Sequence, residues 1–293
     1  MVKKRVLVTG GSGFLGSHTA DQLSKQGFKV VLFDNKPSKW KSPDQEMVIG
    51  DVTNFEDCKK ACEGVKYVFH YAGIADINES KKDPLNTIQL NIIGTSNLLK
   101  ASVSSKVERF VFASTMYVYS PYGSFYRATK QSSESIIEVF SEEFNLDYTF
   151  LRYGSLYGPR SQSWNGLRGY ISQIINNGEI EYRGTGEEIR EYLHVEDAAK
   201  LSVKILENKY KNKAITLTGH QKLSSNEMIN LLFEISGKKK NINYKKNNKN
   251  SDHYVNTPYR FSPKAAVKII PDEFRDFGEG IIEVMDEISS TKK

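Results

Sequence analysis

Tyr126 and Lys130, in "GSFYRATKQ", are the pair most able to move a proton. Of the 16 tyrosines in the chain, only Tyr126 has a lysine four residues later. That spacing puts both side chains on one face of a helix. A free phenol ionises near pH 10, so forming its anion near neutrality costs roughly 4 kcal/mol. One positive charge about 5 Å away returns roughly 3 kcal/mol at an effective dielectric near 20. The pair could therefore accept the hydroxyl proton of an alcohol. A Tyr–Lys pair at this spacing also arises by chance on helix surfaces, so its location has to decide. It follows the strand-like "RFVFAST", whose end offers the hydroxyls of Ser114 and Thr115. One of these would hold a substrate oxygen against Tyr126, a role compatible with capping the strand end.

Oxidising an alcohol also requires a hydride acceptor, and a second motif points to one. The stretch "VTGGSGFLG" at 8–16 places Gly10, Gly13 and Gly16 between an apolar run and a helical one. A helix N-terminus binds anions through its backbone N–H groups, here those around Phe14 and Leu15. Gly10 permits a tight turn, Gly13 close approach of a pyrophosphate, and Gly16 close packing of the helix. Asp34, eighteen residues beyond Gly16 in "VVLFDN", ends the next strand beside Asn35. A carboxylate there accepts hydrogen bonds from ribose hydroxyls and repels a 2′-phosphate, favouring NAD. Lys36 and Lys39 keep NADP open, and a simple turn aspartate is the bland reading of Asp34.

These residues need a scaffold that brings strand ends together. Short β-branched runs ("RVLVTG", "KVVLFD", "MVIGD", "KYVFHYAG", "RFVFAS", "YTFLRY") alternate with helical segments over 3–155. This predicts an α/β fold, a Rossmann-type doubly wound parallel sheet buried on both faces. Further on, "VEDAAKLSVKILEN" and "AITLTG" read as one more helix and strand of that sheet. We expect a dinucleotide-binding domain over 1–163, rejoined by 190–219, and a smaller interleaved C-terminal substrate lobe over 164–293. Helices are expected there at "SSNEMINLLFEIS" and "PDEFRDFGEGIIEVMDEIS". No repeat period is visible.

Composition narrows the classes. The chain has 293 residues, a net charge of +6 and 39% hydrophobic residues. No apolar run approaches the roughly 18 residues of a membrane span, and the N-terminal apolar run is too short for a signal peptide. A cytoplasmic protein without membrane contact is expected. Cys58 and Cys62, the two cysteines, read as reduced thiols, too few for a disulfide framework or a zinc site, and no metal is expected. The basic stretch 237–251 could grip nucleic acid, but lysine and asparagine recur along the chain, and a solvated loop is the reading adopted.

At this point the chain resembles the extended short-chain dehydrogenase/reductases of the NAD-dependent epimerase/dehydratase family, which act on nucleotide sugars. "TGGSGFLG", "FDN", "GDVTN", "HYAG", "NIIGTSNLL", "YRATK", "LRYGSLYGPR" and "REYLHVEDAA" occur in the family's order. The resemblance implies NAD bound by Gly10, Gly13, Phe14, Leu15, Gly16, Asp34 and Asn35, with Asp51 and Val52 flanking adenine. It implies Ala72 and Gly73 beneath the cofactor, Asn91 supporting the active-site helix, and Tyr153, Gly154 and Ser155 at the nicotinamide beside Tyr126 and Lys130. Arg190 would reach the substrate diphosphate, as suits a guanidinium; Trp164 and Asn165, just after "GPRSQS", read equally as lining of the sugar-nucleotide pocket or as an aromatic loop anchor. Helices around 86–104 and 126–143 would form a homodimer contact.

The chain also departs from the family's pattern. Thr115 takes the usual hydroxyl position, but Met116 and Tyr117 stand where 4,6-dehydratases carry Asp-Glu, which argues against elimination of water. The 119–126 segment is short, Ser155 replaces an asparagine, and only Arg260 or the lysines of 238–249 stand in for a second phosphate-binding arginine. The expected function is a UDP-sugar epimerase working at C4 through a transient keto-sugar. Alternatives are a keto-sugar reductase or dehydrogenase, a 4,6-dehydratase on the same fold, and a non-catalytic dinucleotide sensor. A nucleic-acid binder is the remaining reading.

Overall fold

A computed structural model describes residues 4–219, 222–245 and His253. Arg260, the basic residues beyond 245 and the helix expected at 271–289 lie outside the described residues. The chain opens as β1 (Arg5–Thr9), α1 (Phe14–Lys25), β2 (Lys29–Asp34), β3 (Glu46–Ile49), α2 (Phe55–Ala61) and β4 (Tyr67–His70). Helices α3 (Ile77–Lys82) and α4 (Pro84–Ile88) pass through a π-helical stretch, Gln89–Ile93, into α5 (Gly94–Ser104). Then come β5 (Arg109–Thr115), a 3-10 turn Met116–Tyr119, α6 (Ser124–Phe144) and β6 (Tyr148–Tyr153). The rest comprises β7 (Ser155–Tyr157), α7 (Gly166–Asn177), β8 (Ile180–Arg183), β9 (Ile189–His194), α8 (Val195–Lys204), β10 (Lys213–Leu217), β11 (Lys222–Ser224), α9 (Ser225–Ser236) and β12 (Ile242–Lys245).

Seven strands form one parallel sheet in the order β10-β6-β5-β4-β1-β2-β3. The chain winds outward from β1 to β3, then crosses to β4 on the other side of β1. That reversal opens a crevice at the carboxyl ends of β1 and β4, where such folds bind ligands. The strands read as unbroken apolar runs because both faces are covered. On one face Phe110, Phe112 and Phe150 pack with Cys58 of α2, Leu98 and Leu99 of α5 and Ile137 of α6. On the other, Leu32, Phe69 and Leu151 pack with Leu23 of α1 and Ala198 and Val203 of α8. Burial pushes both thiols, Cys58 and Cys62, up to about 12, so they are unreactive fillers of the first core.

The segment "AITLTG" does return to the main sheet, as β10 beside β6. The smaller elements were less legible. Strands β7, β9 and β11 form a three-stranded sheet and β8 pairs with β12; several are three or four residues long and half-polar, too short to carry a period. Ile174, Ile180, Met228, Ile229 and Phe233 make their own core between α7, β8 and α9. Helix α9 starts with a capping box, Ser224 with Glu227. In the basic stretch, Lys238 Nζ donates to the carbonyls of Ile174 (2.7 Å) and Ile175 (2.9 Å), satisfying the open end of α7. Among the described residues, no helix is long and apolar enough to cross a membrane, and no group of three His, Cys, Asp or Glu could hold a metal ion.

Candidate active site

The glycine turn is bare because its neighbours leave no room. Gly10 has φ +65°, and a Cβ there would lie 2.8 Å from the Ala72 amide nitrogen. A Cβ on Gly16 would run into the Gly10 carbonyl oxygen. Gly13 is the N-cap of α1 and supplies no side-chain cap, and the first turn, with Phe14 and Leu15, holds no acidic residue. An uncapped helix start without carboxylates suits a pyrophosphate. Asp34 stands next to it: its Oδ2 accepts from the Ser12 N–H (3.0 Å) and its Oδ1 from the Lys36 N–H (3.2 Å). The carboxylate thus braces the glycine loop, with lone pairs left over for a further donor. Asn35, Lys36 and Lys39 are exposed. After β3, Asp51 Oδ1 accepts from the Thr53 N–H and Oγ1, both at 2.8 Å, and Val52 is buried against Gly94. These residues fit an adenine dinucleotide laid along the carboxyl edge of the sheet.

Across the switch point, Ala72 donates its N–H to Thr9 Oγ1 at 3.2 Å. Gly73, at φ +146°, makes room for Asn91, whose Oδ1 a Cβ would meet at 2.6 Å. Asn91 accepts from the Ile74 N–H (2.8 Å) and donates to the Ile74 carbonyl (3.0 Å) and to Thr129 Oγ1 (3.0 Å). It lies in the π-helical stretch, which the sequence did not announce and which aims this amide at α6.

Helix α6 carries Tyr126 half-buried and Lys130 buried, one turn apart. Lys130 Nζ donates to the Ala113 carbonyl at 2.8 Å and lies 4.7 Å from the centre of the Phe112 ring. Burial lowers its pKa to about 8, opposed by the charge of Glu134. Tyr126 packs edge-on against Tyr117, ring centres 6.1 Å apart, and the Tyr117 hydroxyl lies 2.6 Å from His253 Nδ1.

The two candidate hydroxyls separate. Ser114 Oγ donates to Glu134 Oε1 at 2.5 Å, so it serves α6 rather than an incoming alcohol. Thr115, at the strand end, accepts from the Tyr117 N–H at 3.2 Å and so caps the turn that follows. Sequence reasoning missed Glu134 and Arg152, which form a bidentate pair (Nε–Oε1 3.0 Å, Nη2–Oε2 2.6 Å). Arg152 also donates to the Tyr119 hydroxyl and stacks on its ring. A signal was present: Glu134 continues the four-residue series of Tyr126 and Lys130.

The remaining expected residues are placed as follows. The Tyr153 ring is buried, its hydroxyl 2.6 Å from Ser202 Oγ and 3.4 Å from the Tyr71 hydroxyl, so what it offers at the β6 end is main chain. Gly154 bonds through its N–H to the Leu217 carbonyl (2.9 Å), and Ser155 is half-buried on β7. Trp164 is exposed. The Asn165 amide caps α7, accepting from the Arg168 N–H (3.2 Å), and donates to the Leu156 carbonyl (2.9 Å), so its side chain has a structural task. Arg190 is half-buried on β9, its Nη1 3.0 Å from the Ile189 carbonyl.

Replacing Asp34 by Ser removes the ionised acceptor for the ribose. Hydrogen bonds to a charged group contribute about 1.5–3 kcal/mol, so NAD affinity should fall by about tenfold or more, and discrimination against NADP should shrink. Titration calorimetry with both dinucleotides checks this; unchanged affinities would remove Asp34 from the site.

Comparison with known proteins agrees with the fold. A UDP-glucuronate 4-epimerase of Thermodesulfobacterium geofontis is 28% identical over 267 residues, covering 81% of this chain and 82% of that one. A UDP-glucose 4-epimerase of Thermotoga maritima, solved with UDP-glucose, superposes with a TM-score of 0.81 at 27% identity, covering 88% of this chain and 90% of that one. A UDP-glucuronic acid 4-epimerase of Bacillus cereus, solved with UDP-glucuronic acid and NAD, gives 0.77 at 26% identity, covering 88% of each chain. The family model described as NAD dependent epimerase/dehydratase matches residues 6–217, and the chain belongs to that family.

Proposed function

We propose that the protein is a UDP-sugar 4-epimerase. The observation that carries this reading is a buried ammonium, Lys130, one helical turn from Tyr126 and bonded to the strand that ends in Thr115. NAD, when bound, supplies the acceptor and donor of hydride at the sugar C4. Thr115 Oγ1 orients the C4 hydroxyl, and Tyr126 takes its proton and gives it back. The Lys130 charge favours the phenolate form of Tyr126. Arg190, on the 190–219 segment that rejoins the cofactor domain 1–163, is proposed to contact the nucleotide diphosphate, and Trp164 to line the sugar-nucleotide pocket at the start of the mainly substrate-binding lobe, 164–293. Met116 is fully buried and neither it nor Tyr117 carries a carboxylate, which favours epimerisation over a 4,6-dehydratase.

The exposed apolar side chains Leu85, Ile88, Ile93 and Val139 support a homodimer through α4, the π-helical stretch that leads into α5, and α6, in a cytoplasmic enzyme. Light scattering should give twice the chain mass, and Leu85→Asp with Val139→Asp should give the single chain; a monomeric parent protein would refute the dimer.

Incubation with UDP-glucose or UDP-glucuronate, with no added cofactor, should yield the C4 epimer by NMR without a steady change at 340 nm. Such a steady change would instead identify a reductase. Tyr126→Phe should lower turnover by about a hundredfold or more. No epimer from any UDP-hexose, despite bound NAD, would overturn the proposal.

Lys130 is charged below its lowered pKa of about 8 and neutral above it. Turnover should therefore decline as pH rises through that value, at fixed saturating substrate. Lys130→Met should be slow at every pH and lack this limb; a limb that survives the substitution belongs to another group.

A further inference from the structure

His70 is buried at the end of β4, and the reaction proposed above does not use it. Its two ring nitrogens each face a hydroxyl: Nδ1 lies 2.7 Å from Thr9 Oγ1 and Nε2 lies 2.9 Å from Thr95 Oγ1. The direction of these bonds follows from counting protons. Thr95 Oγ1 is 2.6 Å from the Asn91 carbonyl oxygen, which can only accept. The single Thr95 hydroxyl proton is therefore committed there, and Thr95 Oγ1 must accept from His70. His70 thus carries its proton on Nε2, and Nδ1 accepts from the Thr9 hydroxyl. Thr9 Oγ1 in turn accepts the Ala72 N–H at 3.2 Å. Each bond in the series then runs in the same direction, from the Ala72 N–H to the Asn91 carbonyl.

The series joins two parts of the site that are far apart in the chain. At one end is Thr9, the residue before the glycine turn. At the other is Asn91, whose amide donates to Thr129 Oγ1 (3.0 Å) and whose carbonyl shares the single Ser133 hydroxyl proton with the Thr129 carbonyl (2.8 and 2.9 Å). Thr129 and Ser133 flank Lys130 on α6. The ring itself lies between Phe110 and Phe112, each 5.8 Å away centre to centre, with Phe112 also beneath the Lys130 ammonium. Burial among these rings, with the Lys130 charge nearby, holds the imidazole neutral, its pKa lowered to about 3.

We propose that His70 is a positioning residue: as the neutral Nε2–H tautomer it fixes a one-way hydrogen-bond series, Ala72 to Thr9 to His70 to Thr95 to Asn91, that sets the catalytic helix against the cofactor turn. The proposal rests on the reading of Tyr126 and Lys130 as the catalytic pair. It makes the spacing between glycine loop and α6 depend on a side chain that touches neither substrate nor cofactor.

The direct test is 15N NMR of the histidine-labelled protein, with the His70 signal assigned by its loss in His70→Phe. The expected result is an Nε2–H tautomer unchanged from about pH 6 to about pH 9. An Nδ1–H tautomer, or an imidazolium in that range, overturns the proposal whatever the activity. In kinetics, His70→Phe and Thr95→Val should each lower kcat about tenfold with the substrate KM within about twofold, since misplacement acts on the reacting geometry. The double variant should be no slower than the slower single one, because both break one series. Additive losses, or losses confined to KM, count against it. If His70→Phe does not fold, Thr95→Val identifies the Nε2 signal by its shift and still gives the kcat and KM split. If the parent protein epimerises no UDP-sugar, the reading of the reaction fails, while the tautomer and a weakened NAD affinity in Thr95→Val still decide the role of His70.

Discussion

A lysine ammonium removed from water is costly unless its protons and charge find partners. Lys130 finds incomplete ones: a carbonyl, the face of Phe112, and Glu134 one turn along the helix. Glu134 is already gripped twice by Arg152, so two cations share one carboxylate. That arrangement leaves the ammonium in a medium that screens poorly, where its charge reaches farther than it would in water. Much of the surrounding structure follows from this burial. Helix α6 must lie against the end of β5, that end must expose a main-chain carbonyl at Ala113, and the 116–120 turn must close over the helix. The closure is fixed by side chains of α6 itself, with Arg127 donating to the Ser120 carbonyl (3.1 Å) and Gln131 to the Val118 carbonyl (2.9 Å).

The sheet supplies the second half of the geometry. Because all seven strands run the same way, every strand ends on one edge, and the cofactor candidates fall there in order across β3, β2, β1, β4, β5 and β6. Gly10, Asp34, Asp51, Ala72, Thr115 and Tyr153 are far apart in sequence yet adjacent along that edge. The crossover from β3 to β4 parts the helices above β1, and the uncapped start of α1 points into the opening. Specific side chains are few at this end; what the fold provides is mostly main chain kept bare by small residues.

Which features were legible in the sequence follows from how local their cause is. Strands β1 to β6, the glycine turn and the Tyr126–Lys130 pair each depend on a few neighbouring residues, so composition and spacing disclose them. The π-helical stretch around Asn91 has no such local signature, because it exists to satisfy Ile74 and Thr129, seventeen and thirty-eight residues away. Arg152 reads as a strand residue until its partner on α6 is known. Asn165 reads as a pocket residue until α7 is seen to begin there, with Asn165 as its cap. In the small lobe the strands are short and half-polar, and their pairing is decided by contacts between 155–157, 189–194 and 222–224 that no single window contains.

The adjacent hydroxyls of Ser114 and Thr115 show how strand geometry resolves an ambiguity that residue type cannot. Successive side chains on a strand point to opposite faces. Phe112 and Ser114 therefore share the face covered by α6, and both meet that helix, one under Lys130 and the other at Glu134. Thr115 is excluded from that face by the same alternation and stands where the strand becomes the 3-10 turn, bonded to the Tyr117 N–H. The two hydroxyls were never alternatives for one task. The first ties the strand to α6, and the second caps the turn that follows the strand.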